Sequence, residues 1–375
     1  MIPYGRQDIN DADVAAVVEV LKSDWLTTGP AVDRFEDAVR RRCGAAHAAA
    51  VANGTVALHL ACRALGLGPG DTLWTSPNTF VASANCALYC GAGVDFVDID
   101  PKTYNMSAEA LQEKLFLAEK KGKLPKIVVP VHFAGQPCDL RAIRSLADRF
   151  GFSIIEDASH AVGATYLGQP VGNCRHSEIA VFSFHPVKIV TTGEGGMTLT
   201  NREDLAQRMR LLRAHGITRE KSKSEGGWYY EQVDLGYNYR LTDLHAALGA
   251  SQLGRLDAFL ARRRELAARY DRLLAALPVT TPWQHPDGAS AWHLYVVQVD
   301  NRRKIYDALR AAGVAVNVHY IPVHLQPHYR ALGFKAGDFP AAEAYYSRAI
   351  TLPLFPRLTE GEQDRVVDAL AKALA

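Results

Sequence analysis

Two short stretches carry residue types suited to amine and acid–base chemistry. Ile155-Glu156-Asp157-Ala158-Ser159-His160 sets a carboxylate and an imidazole three residues apart, and Phe182-Ser183-Phe184-His185-Pro186-Val187-Lys188 ends on a lysine among apolar neighbours. An amine in apolar surroundings gives up its proton more easily and becomes a nucleophile. A carboxylate at the end of a buried strand lies on the ligand-binding edge of an open α/β sheet. There it can keep a pyridine nitrogen protonated, the condition for a pyridoxal-type electron sink. His160 is then within reach of the same ring's phenolic oxygen, and Ser183 has a hydroxyl to offer a phosphate. Gly193, Gly195 and Gly196 beyond the lysine let backbone approach a cofactor closely. Each residue also has a plainer reading: Asp157 as a helix cap and Lys188 as a solvated surface lysine.

Three further segments add binding groups. Asn53-Gly54-Thr55 joins a strand to a helix N-terminus, where free N–H groups and the helix dipole favour an anion; many tight turns of this kind bind nothing. Phe80, in Thr79-Phe80-Val81-Ala82, can stack on a ring or serve as an ordinary core phenylalanine. Gly236-Tyr237-Asn238-Tyr239-Arg240 offers polar donors just ahead of a long helical stretch, or simply decorates its start.

The elements that position these groups follow from periodicity. Residues 11–21 read as a helix with Asp11 as its cap, 47–51 as a strand, and the turn at Asn53 opens a helix to residue 65. A strand at 72–75, a helix at 80–89 and a strand at 94–97 come next. The short β-branched runs 126–131 and 153–155 read as buried parallel strands with the helix 140–150 between them, and 179–183 and 196–200 add two more strands. Such alternation predicts an α/β sheet with helices on both faces. Residues 242–277 are almost unbroken helix formers and are expected to bridge two domains, a large α/β domain over 1–242 and a smaller α+β domain within 243–375. The latter is read as a strand at 293–299, a helix at 303–312, a strand at 314–318 and a terminal helix from Thr359. Residues 221–227 are the most loop-like segment and are expected to be mobile.

Composition narrows the class. At 375 residues the chain exceeds one ordinary core, and 48% hydrophobic against 22% charged residues is the balance of a soluble globular protein. Lys plus Arg number 42 against 40 Asp plus Glu, which leaves no basic footprint for nucleic acid. The N-terminus lacks the pattern of a signal peptide. The most apolar stretch, 45–67, is interrupted by His47, Asn53, His59 and Arg63 and does not suit a bilayer. The six cysteines form no CxxC pair, Cys86 and Cys90 read as buried thiols on one helix face, and a reduced cytoplasmic protein is expected. None of the 13 histidines shows metal-ligand spacing beside a carboxylate in an apolar helix, so no metal is expected.

Taken together, Asn53-Gly54-Thr55, Ser76-Pro77-Asn78-Thr79-Phe80, Glu156-Asp157-Ala158-Ser159-His160, the segment from Phe182 to Lys188, Thr192-Gly193-Glu194-Gly195-Gly196 and Gly236-Tyr237-Asn238-Tyr239-Arg240 resemble the DegT/DnrJ/StrS family of sugar aminotransferases. The likeness covers essentially the whole chain. It implies a fold type I pyridoxal-phosphate enzyme, with a mostly parallel sheet in its large domain. In that case Lys188 carries the cofactor as a Schiff base and acts as general base, and Asp157 pairs with the pyridine nitrogen. His160, where many relatives have Gln, approaches the phenolic oxygen, and Phe80 stacks on the ring. Gly54, Thr55 and Ser183 bind the phosphate, and Asn238 reaches it from the partner subunit of an obligate homodimer. Within the family, Ile2-Pro3-Tyr4-Gly5, the segment from Asp24 to Pro30 and the segment from Val318 to His324 resemble the pseudaminic-acid branch. Those relatives aminate C4 of a UDP-linked 4-keto-6-deoxy-N-acetyl-altrosamine with glutamate as donor. The resemblance makes Tyr4, Thr27, His185, Arg240, His319 and Tyr320 candidates for substrate binding. Sugar dehydratases of the same family carry His at the lysine position, which Lys188 argues against. A non-catalytic regulator would be expected to have lost some of Lys188, Asp157 and Ser183, yet all three are present.

Overall fold

The computed structural model describes residues 1–219 and 226–375, so most of the loop-like segment 221–227 lies outside the described residues. Seven strands form the main sheet: β1 (His47–Val51), β2 (Thr72–Thr75), β3 (Gly93–Phe96), β4 (Ile127–Val129), β5 (Ser153–Asp157), β6 (Ile179–Ser183) and β7 (Gly196–Thr200). Their spatial order is β1-β7-β6-β5-β4-β2-β3. All run parallel except β7, which is antiparallel to both β1 and β6. Side chains alternate between the two faces, and both faces are covered. Ala180 and Phe182 of β6 enter one buried cluster with Phe35, Ala48 and Leu199, whereas Ile179 and Val181 enter another with Leu58, Leu60 and Ile155. This double burial is why the strands read as continuous apolar runs.

The strand register fixes the position of the ligand edge. Gly196 pairs with Val51 on one side and Ser183 on the other, and a Cβ on it would lie 2.4 Å from the Asn53 carbonyl oxygen. Glycine is required there so that the turn after β1 can sit against the end of β6. The helix Gly54–Ala64 follows that turn. Asn53 caps it, its side chain accepting the Val56 N–H at 3.0 Å, and the helix buries Ala57, Leu58, Leu60 and Ala61 against the sheet.

The C-terminal part is built on an antiparallel pair, β8 (Tyr295–Gln298) and β9 (Ala349–Leu352), packed against the helices Arg302–Ala311 and Glu360–Leu374. Thr359 caps the last helix in a reciprocal box with Glu362. Ile2 belongs to this cluster rather than to the sheet that follows it in sequence. The long helical stretch divides into Asp243–Leu253 and Leu256–Leu274 instead of running unbroken. Arg255, at the break, turns its guanidinium to Asp8 and Asp13. The second helix contributes to two buried clusters: Leu256, Phe259 and Leu260 pack on the main sheet's cluster, and Leu266, Tyr270 and Leu274 on the C-terminal one. Between them Arg263 is buried, one guanidinium nitrogen donating to the carbonyls of Trp292, His293 and Leu354. The strand expected at 314–318 is an extended segment with one bridge from Val314 to Ile2 and one from Asn317 to Thr351. Its two edges meet different partners, so no ladder forms. The helix expected from residue 80 begins at Ala82, which leaves Phe80 on the preceding loop.

Candidate active site

A cavity of about 520 Å³ opens where β1, β5 and β6 end, the place where open α/β sheets bind ligands. It brings together Gly54, Thr55, Phe80, Asp157, His160, Ser183, His185 and Lys188 with Tyr4, His319 and Tyr320 from near both chain ends.

Lys188 is half-buried on the loop between β6 and β7. That loop is held at its neck, where the Phe184 N–H donates to the Gly195 carbonyl at 2.8 Å and the Thr192 N–H to the Phe184 carbonyl at 3.0 Å. Burial lowers the Lys188 ammonium to about 8, opposed by the Asp157 carboxylate. About a tenth of it is therefore a neutral amine at pH 7, far more than for a free lysine, and the neutral amine is the form a nucleophile or base needs. Asp157 is the last residue of β5 and is buried. One of its oxygens accepts the Ser159 N–H at 3.1 Å and the other the Ser83 hydroxyl at 2.6 Å.

His160 is buried with its Nε2 3.2 Å from the Tyr320 hydroxyl, while its Nδ1 has no partner among the described residues. Burial, reinforced by Lys188, His319 and His132, holds it well below the ordinary imidazole value, so it is neutral. His319 is lowered to about 3 by burial and by Lys188, and its Nδ1 lies 2.8 Å from the Thr351 hydroxyl. Two neutral imidazoles thus share the cavity with the lysine.

At the helix N-terminus, the N–H groups of Gly54 and Thr55 have no acceptor among the described residues. Gly54 lies so close to Ser183 that an added Cβ would stand 2.9 Å from the serine's Cβ. Two free N–H groups and a hydroxyl therefore converge, and they fit a phosphate. Phe80 is exposed, with its ring 6.3 Å from that of Tyr320, an aromatic face available to a planar ligand. An amine, a carboxylate, an anion cradle and an aromatic face together suit pyridoxal phosphate.

Three candidates do not line the cavity of a single chain: Thr27, which bridges Thr242; Asn238, which is exposed and bridges Ala214; and Arg240, which bridges Val51. Three polar residues in the cavity escape sequence reasoning: Ser83, just past the segment that carries Phe80, and His293 and Asn317 from the C-terminal part. His293 is buried 4.4 Å from the His160 ring. No feature of their local sequence marks these three, because each is set by contacts with residues distant in the chain.

The family model of the DegT/DnrJ/EryC1/StrS aminotransferases matches residues 7–371. The chain belongs to this family. Among DegT/DnrJ/EryC1/StrS relatives, it is 41% identical to the spore coat polysaccharide biosynthesis protein SpsC of Bacillus subtilis, over 98% of this chain and 96% of SpsC. PseC of Helicobacter pylori, an aminotransferase involved in pseudaminic acid biosynthesis, superposes with a TM-score of 0.91 at 30% identity, covering 100% of this chain and 99% of PseC. Spr1654 of Streptococcus pneumoniae in its PLP form superposes at 0.90 with 31% identity, over 99% and 98% of the two chains. As a member of this family the protein is a pyridoxal-phosphate-dependent sugar aminotransferase of fold type I. No helix among the described residues is long and apolar enough to cross a membrane.

Proposed function

We propose that the enzyme moves an amino group from L-glutamate to C4 of a nucleotide-linked 4-keto-6-deoxy sugar, with UDP-4-keto-6-deoxy-N-acetyl-altrosamine as the leading acceptor. The observation that carries the chemistry is the convergence of Lys188, Asp157 and the Gly54–Thr55 cradle on one cavity. The sugar rests on the likeness to PseC and on the segments around Tyr4 and His319. The likeness to SpsC, a spore coat polysaccharide protein, keeps other nucleotide sugars as the second reading.

Pyridoxal phosphate, when bound, supplies an electron sink for the carbon that loses its proton. The chain's own residues do the rest. Gly54, Thr55 and Ser183 hold the phosphate, and Phe80 covers one face of the ring. Asp157 keeps the proton on the pyridine nitrogen, and neutral His160 offers a hydrogen bond to the phenolic oxygen. Lys188 would hold the cofactor; once the donor's amine displaces it, the freed Lys188 amine would take the donor's α-proton as general base, and with the keto-sugar it would deliver a proton to the acceptor carbon. Two chains share two sites, with Asn238 reaching the partner's phosphate. Its exposure in the single chain supports that assignment.

The test is turnover of amino-¹⁵N-glutamate with the UDP-4-keto sugar, followed by mass spectrometry. A product with one ¹⁵N amino group and all its remaining hydroxyls supports the reading. Loss of a hydroxyl without ¹⁵N marks a dehydratase, and turnover only with a different keto-sugar overturns the acceptor. Borohydride reduction and peptide mapping should find the cofactor on Lys188, and Lys188→Ala should fold yet lose turnover.

A further inference from the structure

The loop and first helical turn after β2 place a second hydroxyl behind the one that touches Asp157. Ser83 is the second residue of the helix Ala82–Tyr89, and only 1% of its surface is exposed. A serine in a helix commonly turns its hydroxyl back to its own backbone. Ser83 instead donates to an Asp157 carboxylate oxygen at 2.6 Å. The Thr79 hydroxyl is 2.8 Å from the same serine oxygen and is itself buried. The carboxylate can only accept, so the Ser83 proton goes to Asp157 and the Thr79 proton goes to Ser83. The result is a one-directional chain, Thr79 to Ser83 to Asp157. It shares a segment with Phe80, the ring exposed in the cavity.

We infer that Ser83 is a positioning residue for the reaction: it orients Asp157 and holds the carboxylate in its ionised form, with Thr79 behind it. The inference rests on Asp157 being the partner of the cofactor's pyridine nitrogen. A hydrogen bond to the charged form of a carboxylate stabilises that form, and in a buried site such chains polarise one another. Between Asp157 and a pyridine nitrogen, one proton has two homes. Donation from Ser83 disfavours the carboxylic acid and so keeps the proton on nitrogen. Donation from the Ser159 N–H to the other oxygen adds to this and fixes the carboxylate plane. Without Ser83, the proton shifts toward the carboxylate, and the electron sink weakens.

The experiment uses holoenzyme reconstituted with cofactor ¹⁵N-labelled at the ring nitrogen and reads that nitrogen's NMR shift, alongside the rate of the half-reaction with glutamate against pH. Asp157→Asn should move the shift to the unprotonated range. Ser83→Ala should move it part of the way and slow the half-reaction about 10-fold, equivalent to about one pKa unit of differential stabilisation. Thr79→Val should act in the same direction and less. Ser83→Thr, which keeps the hydroxyl, should restore the wild-type shift. If Asp157→Asn moves the resonance while Ser83→Ala leaves both resonance and pH profile at wild type, the inference is overturned and the role of Asp157 stands. A lower cofactor affinity in Ser83→Ala with an unchanged resonance overturns it too, because packing alone would explain that result. If Asp157→Asn leaves the resonance in place, the reading beneath the inference is wrong.

Discussion

Lys188 must be a base and a nucleophile in water near neutral pH, although a free lysine is protonated there. Burial supplies the difference by lowering the ammonium to about 8, and Asp157 limits how far it falls. The sign is explicit. The neutral amine is the reactive form, and its fraction grows as pH rises through 8. Cofactor capture by apoenzyme should therefore speed up across about pH 7–9 and level off above. Stopped-flow absorbance of cofactor uptake measures this; a profile still rising steeply above pH 10 would mean an ordinary solvated lysine. Lys188, Asp157 and Ser183 were legible in the sequence because each closes or follows an apolar β-branched run, and strand ends are where ligands lie. Ser83 and His293 were not, since their roles arise from contacts with residues 74 and 133 positions away. Nothing local marks such a meeting.

At the scale of elements, the phosphate cradle depends on a helix end approaching a strand end without a side chain between them. A methyl on Gly54 would meet Ser183 at 2.9 Å. Gly54→Ala should preserve the fold, because alanine suits a first helical turn. It should weaken pyridoxal-phosphate binding about 10-fold, near 1.4 kcal/mol, at the low end of what overpacking costs. A fluorescence titration of apoenzyme reads it, and unchanged affinity would place the phosphate elsewhere. Four of the main-sheet strands, 47–51, 72–75, 179–183 and 196–200, were readable to the residue, because burial on both faces makes their composition unambiguous. The helix expected to run unbroken through 242–277 divides at Gly254, a poor helix former, and Arg255 beside it reaches Asp8 and Asp13 across the fold. The alternating 314–318 read as a strand, although its pairing is divided between Ile2 and Thr351.

For the whole molecule, the cavity draws on both ends of the chain. Ile2 packs among C-terminal residues, and Tyr4, two residues on, lines the site beside His319, their rings 5.4 Å apart. Asn238 faces outward from the single chain, and its proposed role belongs to a pair of chains. Lys188→Ala and Asn238→Asp should each be inactive. Mixed under conditions that exchange subunits, they should recover up to about half of wild-type activity per hybrid dimer, because one of its two sites carries neither defect. Confirmed exchange without recovery would remove Asn238 from the shared site.

The reversed direction of β7 has its own consequence in chain entropy. Because β6 and β7 are antiparallel neighbours, the segment from Phe184 to Gly195 leaves the sheet and returns to it at once, tied at the neck by Phe184, Thr192 and Gly195. Closing a loop of roughly ten residues costs about 2 kcal/mol of freedom, and that loss falls when the sheet assembles, before any ligand arrives. The lysine backbone is already ordered when the cofactor binds, so its amine can pass from holding the cofactor to moving a proton by side-chain rotation alone. The amide hydrogens of Phe184 and Thr192 should then exchange as slowly as those of the sheet core, with and without cofactor.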